Sequence, residues 1–282
     1  MDVMIGELAV TATLPRRPAP ALVALHGADG GTREHHLLRR LHELIPVVTF
    51  DRRGEGSSGG TPSVGDFQRQ ADDAAAVTDW LREQPNVTEV GCWGFSQGAW
   101  VGPIALRRAR FDFLVLVASC AVAPSEQMRF GVSMHLRRAG FSDADVAEAM
   151  RLRRLVEAQA HGEATANEVE RQLAVAQAAP WWELAYVPEH ALTPDGCAEW
   201  TREMDFDPEP SIAAVDVPTL LVYGTDDPWL PVETSIDVWR RHHPSVEVLT
   251  IQGGSHDLIV NGRVAQAYED RLVDWVRLGP RA

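Results

Sequence analysis

The chain is poor in cysteine, in basic charge and in long apolar runs, and each shortage removes a class of protein. Cys92, Cys120 and Cys197 are odd in number and have no Cys-x-x-Cys or Cys/His spacing, so neither a disulfide framework nor a zinc site is indicated. Reduced, mostly buried thiols are expected. The 26 basic and 40 acidic side chains leave a formal charge of −14, which argues against holding nucleic acid or an anionic membrane through a general field. No stretch is apolar for long enough to span a bilayer. The opening MDVMIGELAV lacks the basic region, apolar run and cleavage site of a secretory signal, so a cytosolic protein is expected. A Rossmann fingerprint, a P-loop and a His/Cys cluster are missing too, so no cofactor and no metal are expected. A small molecule is the expected partner.

What is present fits one core with an insertion, at 282 residues and 45% hydrophobic side chains. Short Val/Leu/Ile-rich runs alternate with helical patterns, the signature of a mostly parallel sheet with helices on both faces. After an N-terminal strand or hairpin within residues 3–14, the expected strands are Ala21–His26, Val47–Phe50, Thr88–Trp93, Phe113–Ala118, Thr219–Tyr223 and Val246–Ile251. Phe67, Ala71, Ala74, Val77 and Leu81 share one helical face, with Ser63 available as a cap near its start. Further helices fit residues 33–44, 97–109, 233–243 and 264–277.

The alternation stops after Ser119 and resumes near Val217, a gap of roughly ninety residues that cannot be a plain loop in a compact protein. Ser142 with acids in the following turn reads as a helix start, an apolar stripe follows through Val146, Met150 and Leu155, and Thr165 opens a second helical stretch toward Pro180. Residues 1–120 and 211–282 are therefore assigned to the core and 121–210 to an inserted helical lid. Trp181, Trp182, Tyr186 and Trp200 in that insert either line an apolar cavity or pack the lid. Ser57-Ser-Gly-Gly and Pro208-Glu-Pro read as bends.

The most informative stretch is Val90-Gly-Cys-Trp-Gly-Phe-Ser-Gln-Gly-Ala-Trp, a G-x-S-x-G placed between an expected strand and an expected helix. At such a turn Ser96 is held in a strained conformation with its hydroxyl exposed, and Gly94 and Gly98 leave room for the bend. The helix N-terminus then faces the place where an oxyanion would form, with the Gln97 N–H as one donor. Leu25-His-Gly-Ala-Asp-Gly-Gly supplies a flexible turn whose Ala28 N–H is the second. His26, at a strand end, is read as scaffold, and the His35-His36 pair diverges on its expected helix, against metal binding.

Tyr223-Gly-Thr-Asp-Asp-Pro-Trp follows a strand and offers two carboxylates, Asp226 and Asp227, to orient an imidazole. Ile251-Gln-Gly-Gly-Ser-His-Asp places His256 on a glycine-rich loop after the last strand, completing the order Ser, Asp, His along the chain.

Together these motifs resemble the α/β-hydrolase superfamily, over the sheet regions before residue 120 and after residue 215. The fold class this implies is α/β, a mostly parallel sheet with an inserted helical lid, and alignment with the family motif favours Asp227 over Asp226. Asp51-Arg-Arg-Gly-Glu-Gly-Ser-Ser resembles the turn of lidded members such as haloperoxidase-like esterases and proline iminopeptidases, which implies that Asp51 and Arg52 fix loops by hydrogen bonds. The Gly-Phe-Ser-Gln-Gly elbow is similar to that of small carboxylesterases and thioesterases. Epoxide hydrolases and haloalkane dehalogenases carry an aspartate where this chain has Ser96, which disfavours their chemistry.

The expected activity is serine hydrolysis of an ester, thioester or lactone through an acyl-enzyme on Ser96. Peptide or amide cleavage, carbon–carbon hydrolysis and acyl transfer use the same groups, and Glu183, Glu189, Glu199 and Glu203 are available to hold a substrate ammonium or simply to be solvated. A non-catalytic binder on the same scaffold is the alternative of another class. Lid helices also allow a homodimer.

Overall fold

A computed structural model describes residues 1–62 and 64–279. The chain forms two compact units, one of Met1–Ala121, Pro208–Asp227 and Val232–Ala282, the other of Val122–Asp207 with Pro228–Pro231.

The first unit opens with an antiparallel hairpin, β1 (Asp2–Ile5) and β2 (Leu8–Ala12), followed by β3 (Ala19–Leu25) and β4 (Val47–Phe50). Helix α1 (Phe67–Arg82), strand β5 (Val87–Phe95), helix α2 (Gly98–Ala105) and strand β6 (Phe113–Val117) complete its first part. Its eight-stranded sheet has the order β1-β2-β4-β3-β5-β6, continued by β7 (Thr219–Gly224) and β8 (Glu247–Ile251). From β4 onward every pairing is parallel, while β2 meets β4 antiparallel. Every residue of β6 and β7 is buried, so these strands are covered on both faces and are apolar without alternation.

Phe67, Ala71, Ala74, Val77 and Leu81 form the buried stripe of α1. Ser63 lies outside the described residues, and the cap is Asp66, whose side chain accepts from the Arg69 N–H at 3.0 Å.

The helix expected over residues 33–44 does not form; the segment is a series of turns with one 3₁₀ turn at Leu41–Glu43. Its first backbone groups are taken by the turn after β4: the Gly31 N–H donates to Glu55 (2.8 Å), the Arg33 N–H to Asp51 Oδ1 (2.7 Å), and the Gly31 carbonyl accepts from the Arg52 N–H (2.5 Å). Leu37, Leu38 and Leu41 are still buried, so the apolar pattern reported burial and not helical hydrogen bonding. Helix α2 ends at Ala105, short of the expected residue 109. Pro208-Glu-Pro is not a bend but the start of α7 (Glu209–Ala213), where the missing proline N–H is tolerated. Helix α8 (Val232–His242) follows β7, a two-residue hairpin of β9 (Ile259–Val260) and β10 (Arg263–Val264) follows β8, and α9 (Gln266–Leu278) is last.

The second unit is helical: α3 (Pro124–Arg138), α4 (Asp143–Ala160), α5 (Ala166–Ala176) and α6 (Pro194–Met204). Ser142 and Asp145 form a capping box at the start of α4, and Thr165 caps α5. The unit has its own apolar core, containing Val132, Leu152, Val156, Leu173 and Trp181. Arg153 is buried beside it, donating to the Ala185 and Tyr186 carbonyls at 2.8 and 2.7 Å, and burial lowers its pKa to about 10. Among the described residues no helix is long and apolar enough to cross a membrane.

Candidate active site

Strand β5 ends at Phe95 and α2 begins at Gly98, so only Ser96 and Gln97 turn the chain. Ser96 has φ of +51°, a left-handed conformation that L residues with a Cβ seldom adopt. Its N–H donates to the Val117 carbonyl and its own carbonyl accepts from Ala99 N–H, both at 2.9 Å. A Cβ on Gly94 would collide with the Gly98 carbonyl, and one on Gly98 with the carbonyls of Leu25 and His26. Both glycines are therefore steric requirements of the turn.

The loops after β7 and β8 are tied to each other. Thr225 N–H donates to Ile251 O (3.0 Å), Asp226 N–H to Gly254 O (2.9 Å), and Gly253 N–H to the Thr225 hydroxyl (2.8 Å). A Cβ on Gly224 would strike the carbonyls of Gly254 and Ser255, so their close approach depends on glycine there. The result is a continuous relay: Asp227 Oδ2 lies 2.7 Å from His256 Nδ1, and His256 Nε2 lies 3.0 Å from Ser96 Oγ. The Asp227 side chain is wholly buried and that of His256 is 14% exposed, with its ring 5.2 Å from that of Phe95. With the carboxylate ionised, Nδ1 carries the proton and Nε2 turns a lone pair toward the serine hydroxyl. Asp226 is exposed, and it is Asp227 that meets the ring.

The turn carrying Ala28 is held from behind by Arg52. Its guanidinium donates to the Gly27 carbonyl and, at 3.3 Å, to the Ala28 carbonyl, and its charge is paired with Glu55 at 2.9 Å. In a trans peptide the C=O and N–H point oppositely, so fixing the Gly27 carbonyl on Arg52 turns the Ala28 N–H away from the guanidinium. Gly27 lies beside the serine: a Cβ there would be 3.5 Å from Ser96 Cβ. Gln97 is buried, and its side-chain oxygen accepts from Gln70 at 3.1 Å. Among the described residues, no hydrogen bond engages the N–H of Ala28 or of Gln97.

His26 is buried, with Nε2 2.5 Å from the Phe50 carbonyl, and burial holds its pKa below the ordinary histidine range. His35 and His36 stack with centroids 4.8 Å apart, so the two rings run together and do not diverge as on a helix. Burial against Trp93 and Phe95, with the neighbouring His36, lowers His35 to about 3. His36 Nε2 lies 3.2 Å from Asp257, the residue after His256, and this contact holds the Asp257 carboxyl below its usual range. Asp51 accepts from the Arg33 and Ser57 N–H groups, both at 2.7 Å. Among the described residues no group of three His, Cys, Asp or Glu side chains is placed to hold a metal.

The aromatics of the helical unit divide. Trp181 is fully buried in the core of the helical unit and takes the packing alternative, with Trp182 partly buried against that core. Tyr186 is half exposed, and the Trp200 ring meets His161 edge-on at 5.6 Å. Glu183, Glu189 and Glu199 are exposed and Glu203 is partly buried. Arg52, which the resemblance implied would fix loops by hydrogen bonds, braces the Ala28 turn; Phe95 beside the imidazole was not singled out from sequence, because its contact acts across a long separation with no local pattern.

A family model for X-Pro dipeptidyl-peptidase (S15 family) matches residues 9–257. The chain belongs to that family. Its match runs through both units. Among curated relatives, lysophosphatidylserine lipase ABHD12 of Rattus norvegicus is 38% identical over 93 residues, covering 32% of this chain and 23% of that protein. The chain thus matches less than a quarter of that relative's length. Of solved structures, an esterase of Pyrococcus furiosus is similar with a TM-score of 0.61 at 17% identity, over 95% of this chain and 84% of that one. A bromoperoxidase of Bacillus anthracis is similar with a TM-score of 0.58 at 20% identity, over 97% and 98%. At these identities the likeness is one of fold, and the fold is that of the α/β-hydrolases, as the motifs implied.

Proposed function

We propose that this S15-family chain is a serine hydrolase acting on small-molecule esters, thioesters or lactones, with Ser96 as nucleophile, His256 as general base and Asp227 as the orienting acid. The observation that carries the reading is the unbroken Asp227–His256–Ser96 relay at 2.7 and 3.0 Å. Ser96 Oγ attacks the acyl carbon as its proton passes to His256 Nε2, and the N–H groups of Ala28 and Gln97 receive the developing oxyanion. The leaving alkoxide or thiolate departs with the proton from Nε2. Water then attacks the acyl-enzyme, gives its proton to the same nitrogen, and releases the acid as Ser96 recovers its hydrogen. The esterase and lipase names among the similar proteins support an ester substrate.

A second reading, cleavage of a peptide bond after proline, is favoured by the description of the family itself. The same groups would serve, with His256 protonating the leaving amine. The test pairs two substrates and one variant: a short p-nitrophenyl ester and a proline naphthylamide, each with native protein and Ser96→Ala. Ester turnover that vanishes in Ser96→Ala is the expected result. Naphthylamide turnover without ester turnover would favour the peptidase, and undiminished activity of Ser96→Ala would overturn the assignment of the nucleophile.

A further inference from the structure

Helix α1 buries a face that is apolar except at Gln70, Asp73 and Thr78. A polar side chain taken out of water needs a partner. Thr78 returns its hydroxyl to the Ala74 carbonyl at 2.8 Å, and Asp73 is paired with Arg53. Gln70 does something else. Its amide nitrogen donates once to the Val64 carbonyl at 2.7 Å, just ahead of the helix, and once to the side-chain oxygen of Gln97 at 3.1 Å, in the elbow. Both glutamines are buried, Gln97 to 2% exposure. A glutamine gives up much rotamer freedom when it is buried, so packing alone would be served at least as well by an apolar side chain at position 70.

The Gln97 N–H belongs to the Ser96–Gln97 peptide plane, so its direction changes if that plane rotates. Ser96, at φ of +51°, is strained, and a strained turn persists only while its surroundings over-determine it. On the helix side the hold is backbone: the Ser96 carbonyl accepts from Ala99 N–H at 2.9 Å and the Gln97 carbonyl from Trp100 N–H at 3.0 Å. On the side of α1 the hold is the Gln70–Gln97 bond, and the two helices meet again where the rings of Phe67 and Trp100 lie 5.5 Å apart. Gln70 also lines one small pocket with Arg52, His26 and Phe50. From that pocket Arg52 holds the carbonyls of Gly27 and Ala28, and Gln70 holds the side chain of Gln97.

Taking the Ser96 nucleophile and the Gln97 donor as proposed above, we infer that Gln70 is a positioning residue for the oxyanion site: its amide ties Gln97 to the start of α1 and keeps the Ser96–Gln97 peptide turned so that its N–H faces the developing charge. Gln70 itself touches neither substrate nor reacting atoms. Its contribution falls on the transition state, where the oxyanion exists, and not on ground-state binding. Every group concerned lies within the sheet unit.

The experiment measures kcat and KM for a short p-nitrophenyl ester and the inhibition constant of a small trifluoromethyl ketone. The ketone carbon takes Ser96 Oγ as the serine proton passes to His256, which leaves a hemiketal oxyanion facing the two N–H groups. Gln70→Met keeps most of the volume and removes both donated bonds. It is expected to lower kcat about tenfold, less than the 100- to 1000-fold of losing a donor outright, and to leave KM within about twofold. The ketone is expected to weaken by the same factor as kcat. Gln97→Met keeps its own N–H and the Gln70–Val64 bond but removes the acceptor; it is expected to act alike, and it keeps the test open if Gln70→Met does not fold. The two substitutions combined are expected to cost no more than either alone. Unchanged kcat and ketone affinity in either folded variant would overturn the inference, as would losses that multiply in the double variant or a loss confined to KM. Failure of the underlying reading would appear separately, as undiminished activity in Ser96→Ala.

Discussion

Ser96 is held at a positive φ, and that strain persists because Val117, Ala99 and the crowding around Gly94 and Gly98 over-determine the turn. Arg52 performs a comparable service for the opposite wall, spending its donors on the Gly27 and Ala28 carbonyls. Replacing it with methionine keeps much of the volume and removes both bonds, so the Ala28 N–H loses its fixed direction. A fall in kcat of about tenfold or more is expected for Arg52→Met with little change in KM, less than the 100- to 1000-fold of deleting a donor outright; an unchanged kcat would show that the turn holds itself. Ser96 and His256 were readable because each sits in a local pattern of strand, glycine-rich turn and helix. Asp226 and Asp227 were not separable from residues alone: adjacent carboxylates in one loop differ only in which turns inward, and that is set by the distant Gly254 carbonyl. The resemblance implied a loop-fixing role for Arg52, but its particular partners, the Gly27 and Ala28 carbonyls 25 and 24 residues away, leave no spacing to read.

Among the elements, the strands of the eight-stranded sheet were legible to within a residue or two, most sharply β6 and β7, where burial on both faces demands continuous apolar runs, whereas the two-residue strands β9 and β10 were not expected. The segment 33–44 shows the limit of that logic. Its leucines bury as a helix would bury them, but side chains of the neighbouring turn claim its first backbone groups, and periodicity carries no information about such competition. The pairing of the β7 and β8 loops likewise rests on tertiary contact, at Gly224. Gly224→Ala would press a methyl group onto two backbone carbonyls that cannot rotate away. A destabilisation of about 1–3 kcal/mol is expected from denaturant midpoints, accompanied by loss of ester turnover as the Asp227 and His256 loops separate. Native stability together with native turnover would mean that the loops do not depend on this approach.

At the scale of the whole molecule, stability carries a signature of its buried histidines. His26 and His35 are held below the ordinary histidine range, His35 at about 3, chiefly by burial. Below the unfolded value of about 6.5 the unfolded chain binds protons that the folded chain refuses, so stability falls as pH drops, by about 1.4 kcal/mol per pH unit for each such group. For His35 the loss continues until pH nears 3. His161 and His190 are raised by Asp205 and Glu170 and act in the opposite sense, but both are exposed and solvent screens their pairs. Urea unfolding between pH 7 and 5.5 should therefore show declining stability, and His35→Gln should flatten the slope; a flat native profile would contradict the burial of these rings.

The central claim is that an alcohol, an imidazole and a carboxylate from three distant stretches of chain act as one nucleophilic unit. Its most direct measurement is mass mapping of the adduct formed with a fluorophosphonate. The account predicts one covalent modification, on the peptide containing Ser96, formed rapidly in the native protein and greatly slowed in His256→Ala. Modification at another residue, or equally fast labelling of Ser96 without the imidazole, would contradict it.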